Sequence, residues 1–447
     1  MHLDLEKIAL EAFHRTATRV PAYRTLLAEA GVDPAKVRTL QDFEQLPILE
    51  KATTFQRFDI SQLCLDGQLG RLGTVLTSSG HSGLFAFGLT AAEDVSAAAE
   101  WIDDLLDGLF SVRAKPTLLI NCLPMGVKVP TRACTLAETS VRPDMAVGLV
   151  EEFAHHFSQI IFVGEAAFMK SVLELGQRAG IEWPRLSVQI IVGEEPLAEN
   201  ARKYLEGLLG IDSRVPNGGI VASSMGVAEI GLNLFAEIPP KGPLIALRRA
   251  LHENKALRES VLGPVGWVPA LFSYDPRRIY VEFDQQGRLL ITTLDPRCRV
   301  PLVRYATGDR GSFLALTTDT SAAFPDEKIP WADLEATPIV MIHGRGEHVM
   351  DGQTAVFPEA VKEGIYFDAS LAALTTANFR IVAVDNGALV RIQLSPGVTP
   401  SHELEQRFTE AIARYVGTSL PVACEPYESF GSGMTLDYER KFPYLKK

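Results

Sequence analysis

The chain has 447 residues, of which 47% are hydrophobic and 22% charged, and its formal net charge is -12 at pH 7. These values are ordinary for a globular protein, so they exclude a disordered or fibrous chain, and the length suggests one large domain, or two subdomains, plus a smaller one. An acidic chain without a run of Lys or Arg is poorly suited to nucleic acid or to an anionic membrane, so neither is expected as a partner.

The cysteines and the N-terminus predict the compartment. The five cysteines form no Cys-x-x-Cys pair and are odd in number, which favours a reducing environment. The N-terminal sequence MHLDLEKIALEAFHR has early charges and no apolar core of signal-peptide length, and no apolar run is long enough to span a bilayer. We therefore expect a soluble, cytoplasmic protein.

The first third of the chain predicts alternating helices and strands. Apolar residues at helical spacing indicate an amphipathic helix over residues 4–18. An apolar, strand-like segment begins at Val75 and leads into a Ser/Gly-rich stretch. A helix is predicted over residues 91–110, followed by a buried strand over 117–123 that stops at a Pro-Met-Gly sequence.

The region from 159 to 212 has the clearest pattern of the chain. Strands at 159–164 and 188–192 alternate with helices at 165–178 and 197–209. Strands separated by helices of this length imply parallel pairing in an α/β sheet covered on both faces. Because ligands of such sheets bind at the carboxyl ends of the strands, the Gly-Glu-Glu-Pro sequence that follows the second strand is a candidate site.

The remainder of the large region predicts antiparallel strands. Segments 278–283, 287–293 and 300–305 alternate apolar and polar residues and are separated by turn residues, whereas 316–335 is predicted to be a polar loop.

A domain boundary is predicted at residues 345–352, after an N-terminal domain over 1–344. Residues 353–447 suit a small α+β domain, with strands at 379–384 and 389–394 and a helix at 401–416. The predicted fold class is α/β: a large N-terminal domain with mostly parallel sheets and an antiparallel subdomain, followed by a small mobile C-terminal domain.

The Ser/Gly-rich stretch has the composition of a phosphate cradle. Its glycines let backbone N–H groups turn inward, and its hydroxyl groups add short donors around the same concavity. Taken alone, the composition also suits a surface turn. The predicted phosphate-binding residues are Thr77, Ser78, Ser79, Gly80, His81, Ser82 and Gly83.

Further signatures follow the Ser/Gly stretch in order. They are Gly193-Glu-Glu-Pro196, Ser224-Met-Gly-Val-Ala-Glu229, Arg304-Tyr-Ala-Thr-Gly-Asp309 and Gly344-Arg-Gly-Glu-His348. Together with the opening stretch Tyr23 to Lys51, these signatures resemble the phenylacetate–coenzyme A ligase group of the adenylate-forming superfamily. The resemblance covers nearly the whole chain, and the Tyr-x-Thr-Gly-Asp match is its most specific part.

The resemblance implies roles for individual residues. Glu229 would hold Mg²⁺ that bridges ATP phosphates, and Lys441, on the moving C-terminal domain, would reach the α-phosphate, with Lys446 and Lys447 as alternatives. Asp309 would accept hydrogen bonds from two ribose hydroxyl groups. The adenine and ribose residues implied are Gly193, Glu194, Glu195, Pro196, Ser224, Met225, Gly226, Asp309 and Arg345.

Several positions depart from the family pattern. His81 stands where a hydroxyl residue is usual, Met225 replaces an aromatic residue, Ala228 replaces a hydroxyl residue, and Arg440 replaces a glycine. In addition, no Pro-Lys pair follows Gly83. These changes leave open whether activity is reduced or redirected.

Two other classes stay open on the sequence. Ala222 to Gly226 also fits an Ala-x-Ser-x-Gly nucleophile elbow, which would make Ser224 the nucleophile of a hydrolase. The motif departures fit a nucleotide-binding protein without turnover. A P-loop and a His-Glu-x-x-His zinc motif are both absent from the sequence.

The activity implied by the resemblance is ATP-dependent activation of a small aromatic carboxylic acid as acyl-AMP, with release of pyrophosphate. The acyl group would then pass to coenzyme A, the usual acceptor of the family, or to an amine, a hydroxyl or a carrier thiol. The candidate acyl pocket lies at the carboxyl end of the strand predicted over 117–123, where ligands of such sheets bind. Its residues are Leu123, Pro124, Met125 and Gly126.

Overall fold

The computed structural model describes residues 4–78, 83–124, 126–215, 218–237, 242–316, 318–324, 329–335, 337–385, 387–430 and 443–446. The helices in these residues are α1 (Leu5–Arg19), α2 (Pro21–Glu29), α3 (Leu40–Phe43), α4 (Val95–Phe110), α5 (Pro143–Phe153), α6 (Ala166–Ala179), α7 (Glu199–Leu209), α8 (Pro243–Glu253), α9 (Lys255–Leu262), α10 (Thr318–Ala323), α11 (Trp331–Glu335), α12 (Pro358–Ile365), α13 (Ala369–Ala372) and α14 (His402–Val416). None of them is both long and apolar enough to cross a membrane.

The strands in the same residues are β1 (Leu72–Thr77), β2 (Phe87–Ala91), β3 (Thr117–Asn121), β4 (Thr135–Glu138), β5 (Gln159–Gly164), β6 (Val188–Val192), β7 (Val221–Val227), β8 (Gly231–Ala236), β9 (Ala270–Tyr274), β10 (Ile279–Phe283), β11 (Arg288–Thr293), β12 (Tyr305–Phe313), β13 (Ile339–Ile342), β14 (Val349–Asp351), β15 (Thr354–Val356), β16 (Thr375–Val384), β17 (Gly387–Leu394), β18 (Val422–Glu425) and β19 (Leu445–Lys446).

One large sheet organises the N-terminal region. Its strand order is β10-β11-β12-β13-β9-β8-β7-β6-β5-β3-β4. The pairs from β4 to β7 are parallel, and those from β7 to β10 are antiparallel. The predicted α/β class is confirmed. The parallel and antiparallel parts form one continuous sheet, in which strand pairing changes from parallel to antiparallel at β7.

The locally periodic segments form the predicted elements. Helix α1 starts where the Asp4 side chain accepts a hydrogen bond from the Lys7 amide, and it buries Ala9, Ala12 and Phe13 on one face. It ends two residues before Pro21, the first residue of α2, because proline cannot continue a helix that precedes it. The elements predicted over 159–209 are likewise present as β5, α6, β6 and α7.

Two predicted segments differ from the structure. The strand predicted at 300–305 begins only at Tyr305, because Arg304 has a left-handed φ of 50° and the preceding valines and leucine pack into an apolar cluster with the N-terminal helices. The predicted polar loop over 316–335 contains the short helices α10 and α11.

The C-terminal region packs directly on α6 and α7. Side chains of α12, β16 and β17 belong to the same apolar cluster as side chains of α6 and α7. At this interface the buried Lys170 ammonium donates a 2.6 Å hydrogen bond to the Thr375 carbonyl and pairs with Glu174 at 2.8 Å. The predicted hinge, 345–352, contains β14, which pairs with β15. The domain limits and the mobility of this region stay predictions.

Candidate active site

A cavity of about 190 Å³ lies where the parallel part of the sheet meets the antiparallel part. Residues that are distant in sequence converge on it from the ends of β1, β6 and β7 and from β12. The predicted site residues in its wall are Thr77, Ser78, Leu123, Gly193, Glu194, Glu195, Pro196, Ser224, Met225, Gly226, Glu229, Asp309 and Arg345.

Other predicted site residues have different positions. Pro124 lines a neighbouring cavity rather than this one, and Gly83 and Gly126 are in the wall of neither. The part of the chain that the structure describes does not include Ser79, Gly80, His81, Ser82, Met125, Lys441, Lys447 or the side chain of Lys446.

A β-hairpin presents the described part of the phosphate stretch. Strands β1 and β2 are antiparallel, and the Ser78 amide donates to the Ala86 carbonyl at 2.9 Å while the Ala86 amide donates to Ser78 Oγ at 3.0 Å. An added Cβ at Gly88 would lie 2.1 Å from the Ala228 carbonyl, so only glycine permits the hairpin to approach the turn before Glu229 this closely.

Glu229 is buried in the wall of the cavity, next to the turn that the β1–β2 hairpin approaches. Its Oε1 accepts a 2.5 Å hydrogen bond from the Tyr305 hydroxyl and lies 3.7 Å from the Lys51 ammonium. Burial, followed by the negative charge of Glu229, raises the pKa of Tyr305 far above its ordinary value, so the hydroxyl keeps its proton. A single held carboxylate beside the predicted phosphate-binding stretch fits Mg²⁺, which is commonly bound by one or two carboxylates together with substrate phosphates.

Sequence reasoning missed Lys51 and Tyr305 as site residues. Lys51 lines the cavity. Its positive charge is important there because the Ser/Gly stretch ends at Gly83 without a lysine directly after it. The signal for Tyr305 was its position in the Tyr-x-Thr-Gly-Asp motif, but that motif does not reveal a partner 76 residues away.

Asp309 lies on β12, whose start is firmly anchored. Arg304 donates from Nε to Glu282 Oε1 at 3.1 Å and from a terminal nitrogen to the Leu46 carbonyl at 2.5 Å. Burial raises the pKa of Glu282 to about 6 even though Arg304 opposes the shift. The Asp309 amide donates to Thr307 Oγ1 at 3.1 Å, and Arg345 joins Asp309 in the cavity wall.

The predicted adenine loop, Gly193 to Pro196, connects β6 to the segment before α7. The Gly193 amide donates to the Gly164 carbonyl at 3.0 Å, and Glu194 has a left-handed φ of 73°. The Glu195 carboxylate accepts from the Lys362 ammonium at 2.5 Å and from the Tyr444 hydroxyl at 2.9 Å. The side chain of Glu195 is thus engaged by the C-terminal region.

The opposite end of the cavity is aliphatic. Apolar side chains from α4, from the strands β3, β5 and β6, and from the segment after β3 surround it. They are Ile102, Leu106, Leu119, Leu123, Val127, Val129, Val163 and Ile191. The sequence had identified Leu123 but not the others, although Ile102 and Leu106 carry the i, i+4 spacing of a buried helix face.

The hydrolase alternative is wrong. Ser224 lies within β7 and pairs with Ala236 on the antiparallel strand β8. A nucleophile elbow instead requires a sharp turn from a strand into a helix.

A second cavity, of about 170 Å³, adjoins the first and is lined partly by residues of the C-terminal region. Its acidic residues include Glu165, Glu347 and Glu359. Burial first, and then the neighbouring Glu195, raises the pKa of Glu165 well above its ordinary value. Burial likewise raises the pKa of Glu359 to about 7, although Lys362 opposes the shift.

Comparison with solved structures identifies the fold. The 2-hydroxyisobutyryl-CoA ligase in its postadenylation state, in complex with R3-HIB-AMP, superposes with a TM-score of 0.71 at 13% identity, over 99% of this chain and 88% of that one. The same ligase with 2-HIB-AMP and CoA in the thioesterification state gives a TM-score of 0.56 at 14% identity and the same coverage. The chain therefore has the fold of the adenylate-forming ligases.

Comparison of sequences identifies a relative within this class. The chain is 24% identical over 301 residues to the phenylacetate-coenzyme A ligase of Thermus thermophilus, a match over 65% of this chain and 61% of that protein. The resemblance to phenylacetate–coenzyme A ligases is thereby confirmed. A scan against models of known protein families finds no match.

Proposed function

We propose that this protein is an ATP-dependent ligase that converts a small apolar carboxylic acid, of aromatic type, into its acyl-AMP with release of pyrophosphate. One observation carries the proposal: residues of separate nucleotide-binding signatures, from Thr77 to Arg345, line a single cavity whose far end is aliphatic. A nucleotide held by the signatures would place its α-phosphate beside an acid whose apolar part occupies that end.

The charged residues of the cavity have complementary roles in this proposal. Asp309 accepts the ribose hydroxyl groups, and Arg345 and Lys51 supply positive charge near them and near the phosphates. Glu229 would hold Mg²⁺, which offsets phosphate charge as the carboxylate approaches. Tyr305 keeps the Glu229 carboxylate in one orientation through its hydrogen bond.

Lys441 is proposed as the group whose ammonium stabilises the negative charge that develops at the α-phosphate. Lys441 lies outside the described residues, and the proposal is supported by Pro443, two positions further along the chain, which lines the second cavity together with Asp309 and Arg345. The higher TM-score with the postadenylation form of the 2-hydroxyisobutyryl-CoA ligase supports a C-terminal region placed for adenylation.

The proposed acyl specificity rests on the apolar end of the cavity, and the proposed acceptor rests on the relatives. In the described part of the chain, the aliphatic wall offers no partner for a second charge, which favours an acid with an uncharged ring. Coenzyme A is the proposed acceptor, supported by the names of the relatives described above, and an amine, a hydroxyl or a carrier thiol are the alternatives. A cytoplasmic location completes the proposal.

A carboxylic-acid panel tests this function. Pyrophosphate release is measured with ATP and Mg²⁺, with and without coenzyme A, for aromatic, aliphatic and dicarboxylic acids. Release is expected with an apolar acid and should be abolished by Glu229→Ala but not by Glu259→Ala, which alters an exposed carboxylate. The proposal is overturned if no acid yields pyrophosphate and calorimetry detects no ATP binding.

A further inference from the structure

The loop predicted to hold adenine is in direct contact with the C-terminal region. The two cavities share Glu194, Glu195, Pro196, Asp309 and Arg345 in their walls, and the second is closed by residues of α12 and by Pro443 to Leu445. A residue of α12 can therefore influence the nucleotide loop without touching the nucleotide.

Lys362 of α12 makes the first of these contacts. Its ammonium donates to Glu195 at 2.5 Å and lies 4.2 Å from the centre of the Tyr444 ring, and the Tyr444 hydroxyl also donates to Glu195. The side chains of Lys362 and Glu195 are 10% and 17% exposed, so solvent screens their charges only weakly. Because the partners are largely desolvated, breaking this pair leaves a charge without compensation.

The next residue, Glu363, makes the second contact. Helix α7 begins three residues after Pro196, and its N-cap residue, Ala198, provides no side-chain hydrogen bond. Instead the Glu363 carboxylate accepts from the Glu199 amide at 2.7 Å and from the Asn200 amide at 2.9 Å. These are N–H groups of the first turn that have no partner within the helix.

The Asn200 side chain extends this contact to a second helix of the C-terminal region. Its Nδ2 donates to the Glu363 carbonyl at 2.9 Å and to the Tyr415 hydroxyl at 2.7 Å, and its Oδ1 lies 3.0 Å from His252 Nε2. The orientation of α7, and with it of the loop that precedes it, depends on groups belonging to α12 and α14.

On these contacts, and on the function proposed above, we propose that Lys362 and Glu363 form a clasp that couples docking of the C-terminal region to the conformation of the Gly193–Pro196 loop. Both are positioning residues for adenylation in this proposal, since they act through Glu195 and the start of α7 and neither lines the first cavity. Coupling of this kind is reciprocal: docking strengthens ATP binding, and bound ATP strengthens docking by the same factor. Transfer of a preformed acyl group requires the C-terminal region in another orientation, so the clasp is open in that half-reaction.

The first test uses hydrogen exchange without any ligand. Lys362→Met and Glu363→Gln are expected to speed amide exchange at least tenfold in α12 and in the first turn of α7. Two matched controls, Lys255→Met and Glu403→Gln, change exposed residues. They should leave amide exchange in α12 and in the first turn of α7 as in the wild type. Tyr444→Phe removes one hydroxyl group and provides a milder variant if Lys362→Met does not fold. Unchanged exchange in the folded clasp variants overturns the proposal.

The second test measures the two half-reactions. Each clasp variant should raise the dissociation constant for ATP and slow pyrophosphate release by roughly ten- to a hundredfold, whereas transfer from supplied acyl-AMP stays within about twofold. An equal loss in both half-reactions indicates a merely structural role and overturns the proposal. If the wild type releases no pyrophosphate, the proposed ligase function fails, whereas the ligand-free exchange still decides whether the clasp exists.

Discussion

The Tyr305 hydroxyl donates a 2.5 Å hydrogen bond to Glu229, and this bond joins two of the sequence signatures across the sheet. Tyr305 is fully buried at the start of β12, and Glu229 follows β7 in a turn. The strand that carries Asp309 and the carboxylate proposed to hold Mg²⁺ are thereby fixed relative to each other.

The first prediction concerns this bond. Tyr305→Phe should reduce the affinity for Mg²⁺ and slow pyrophosphate release roughly tenfold, because a lost hydrogen bond to a charged group costs about 1.5–3 kcal/mol. Magnesium titrations of the initial rate measure the effect. Tyr23→Phe is the matched control, since the buried Tyr23 hydroxyl has no hydrogen-bond partner among the described residues and its loss should be harmless. Equal magnesium dependence in both variants would show that Tyr305 only packs.

Lys51 is predicted to support phosphate binding. Lys51→Met removes a cation that lies 3.7 Å from Glu229, and the Ser/Gly stretch offers no lysine to replace it. At an effective dielectric near 20 a unit charge at about 4 Å is worth roughly 4 kcal/mol, and water entering the gap reduces this, so a ten- to hundredfold slower adenylation is expected. Lys51→Arg should recover part of the rate. If the Lys51→Met variant catalyses adenylation at the wild-type rate, the role of Lys51 is limited to packing.

Asp309→Ala should weaken ATP binding by roughly 1–3 kcal/mol, because two ribose hydroxyl groups lose their acceptor. Calorimetry with ATP and with adenine alone measures the change. Adenine should bind both proteins equally, since only the ribose contacts are altered. An ATP affinity equal to that of the wild type would mean that residues 305–309 form structure only.

Lys441→Ala should slow acyl-AMP formation by roughly a hundred- to a thousandfold, on the same Coulomb estimate reduced for entering water. Transfer from chemically supplied acyl-AMP should be nearly unaffected, because the C-terminal region is proposed to adopt another orientation for that step. Rapid-quench measurements separate the two steps. If both fall equally Lys441 is structural, and if neither falls Lys446 and Lys447 become the candidates.

The raised pKa of Glu359, in the acidic second cavity, predicts that the stability of the protein depends on pH. The pKa of Glu359 is raised from an ordinary 4.5 to about 7, so its stabilising contribution is complete below about pH 4.5 and is lost as the pH rises through 7. Glu359→Gln removes this dependence and should make the protein more stable than the wild type at pH 8, by roughly 1–3 kcal/mol, but not at pH 4.5.

Urea unfolding at the two pH values measures the Glu359 effect. The exposed Glu403→Gln is the control and should leave the pH dependence of the wild type intact. A Glu359→Gln protein whose stability relative to the wild type is the same at pH 4.5 and pH 8 would contradict the prediction.

Elements with a local cause could be predicted from the sequence. Helix α1 and the alternation of β5, α6, β6 and α7 follow from apolar periodicity and from caps within a few residues of each element. The start of β12 could not be predicted in this way. Its alternating pattern begins at residue 300, but the backbone turns at Arg304, which has a left-handed φ and whose side chain bonds to Leu46 and Glu282, residues far away in sequence.

The short signatures were enough to predict the class of this protein and most of its candidate nucleotide-binding residues, because the residue types of each signature suit one chemical task. The distant side chains that complete the candidate site became apparent only in the folded structure: Lys51 and Tyr305 at Glu229, the aliphatic residues of α4, and Lys362 at Glu195. The reason is physical. These contacts join residues tens to hundreds of positions apart, and packing of the sheet and its covering helices, rather than any local pattern, brings them within bonding distance.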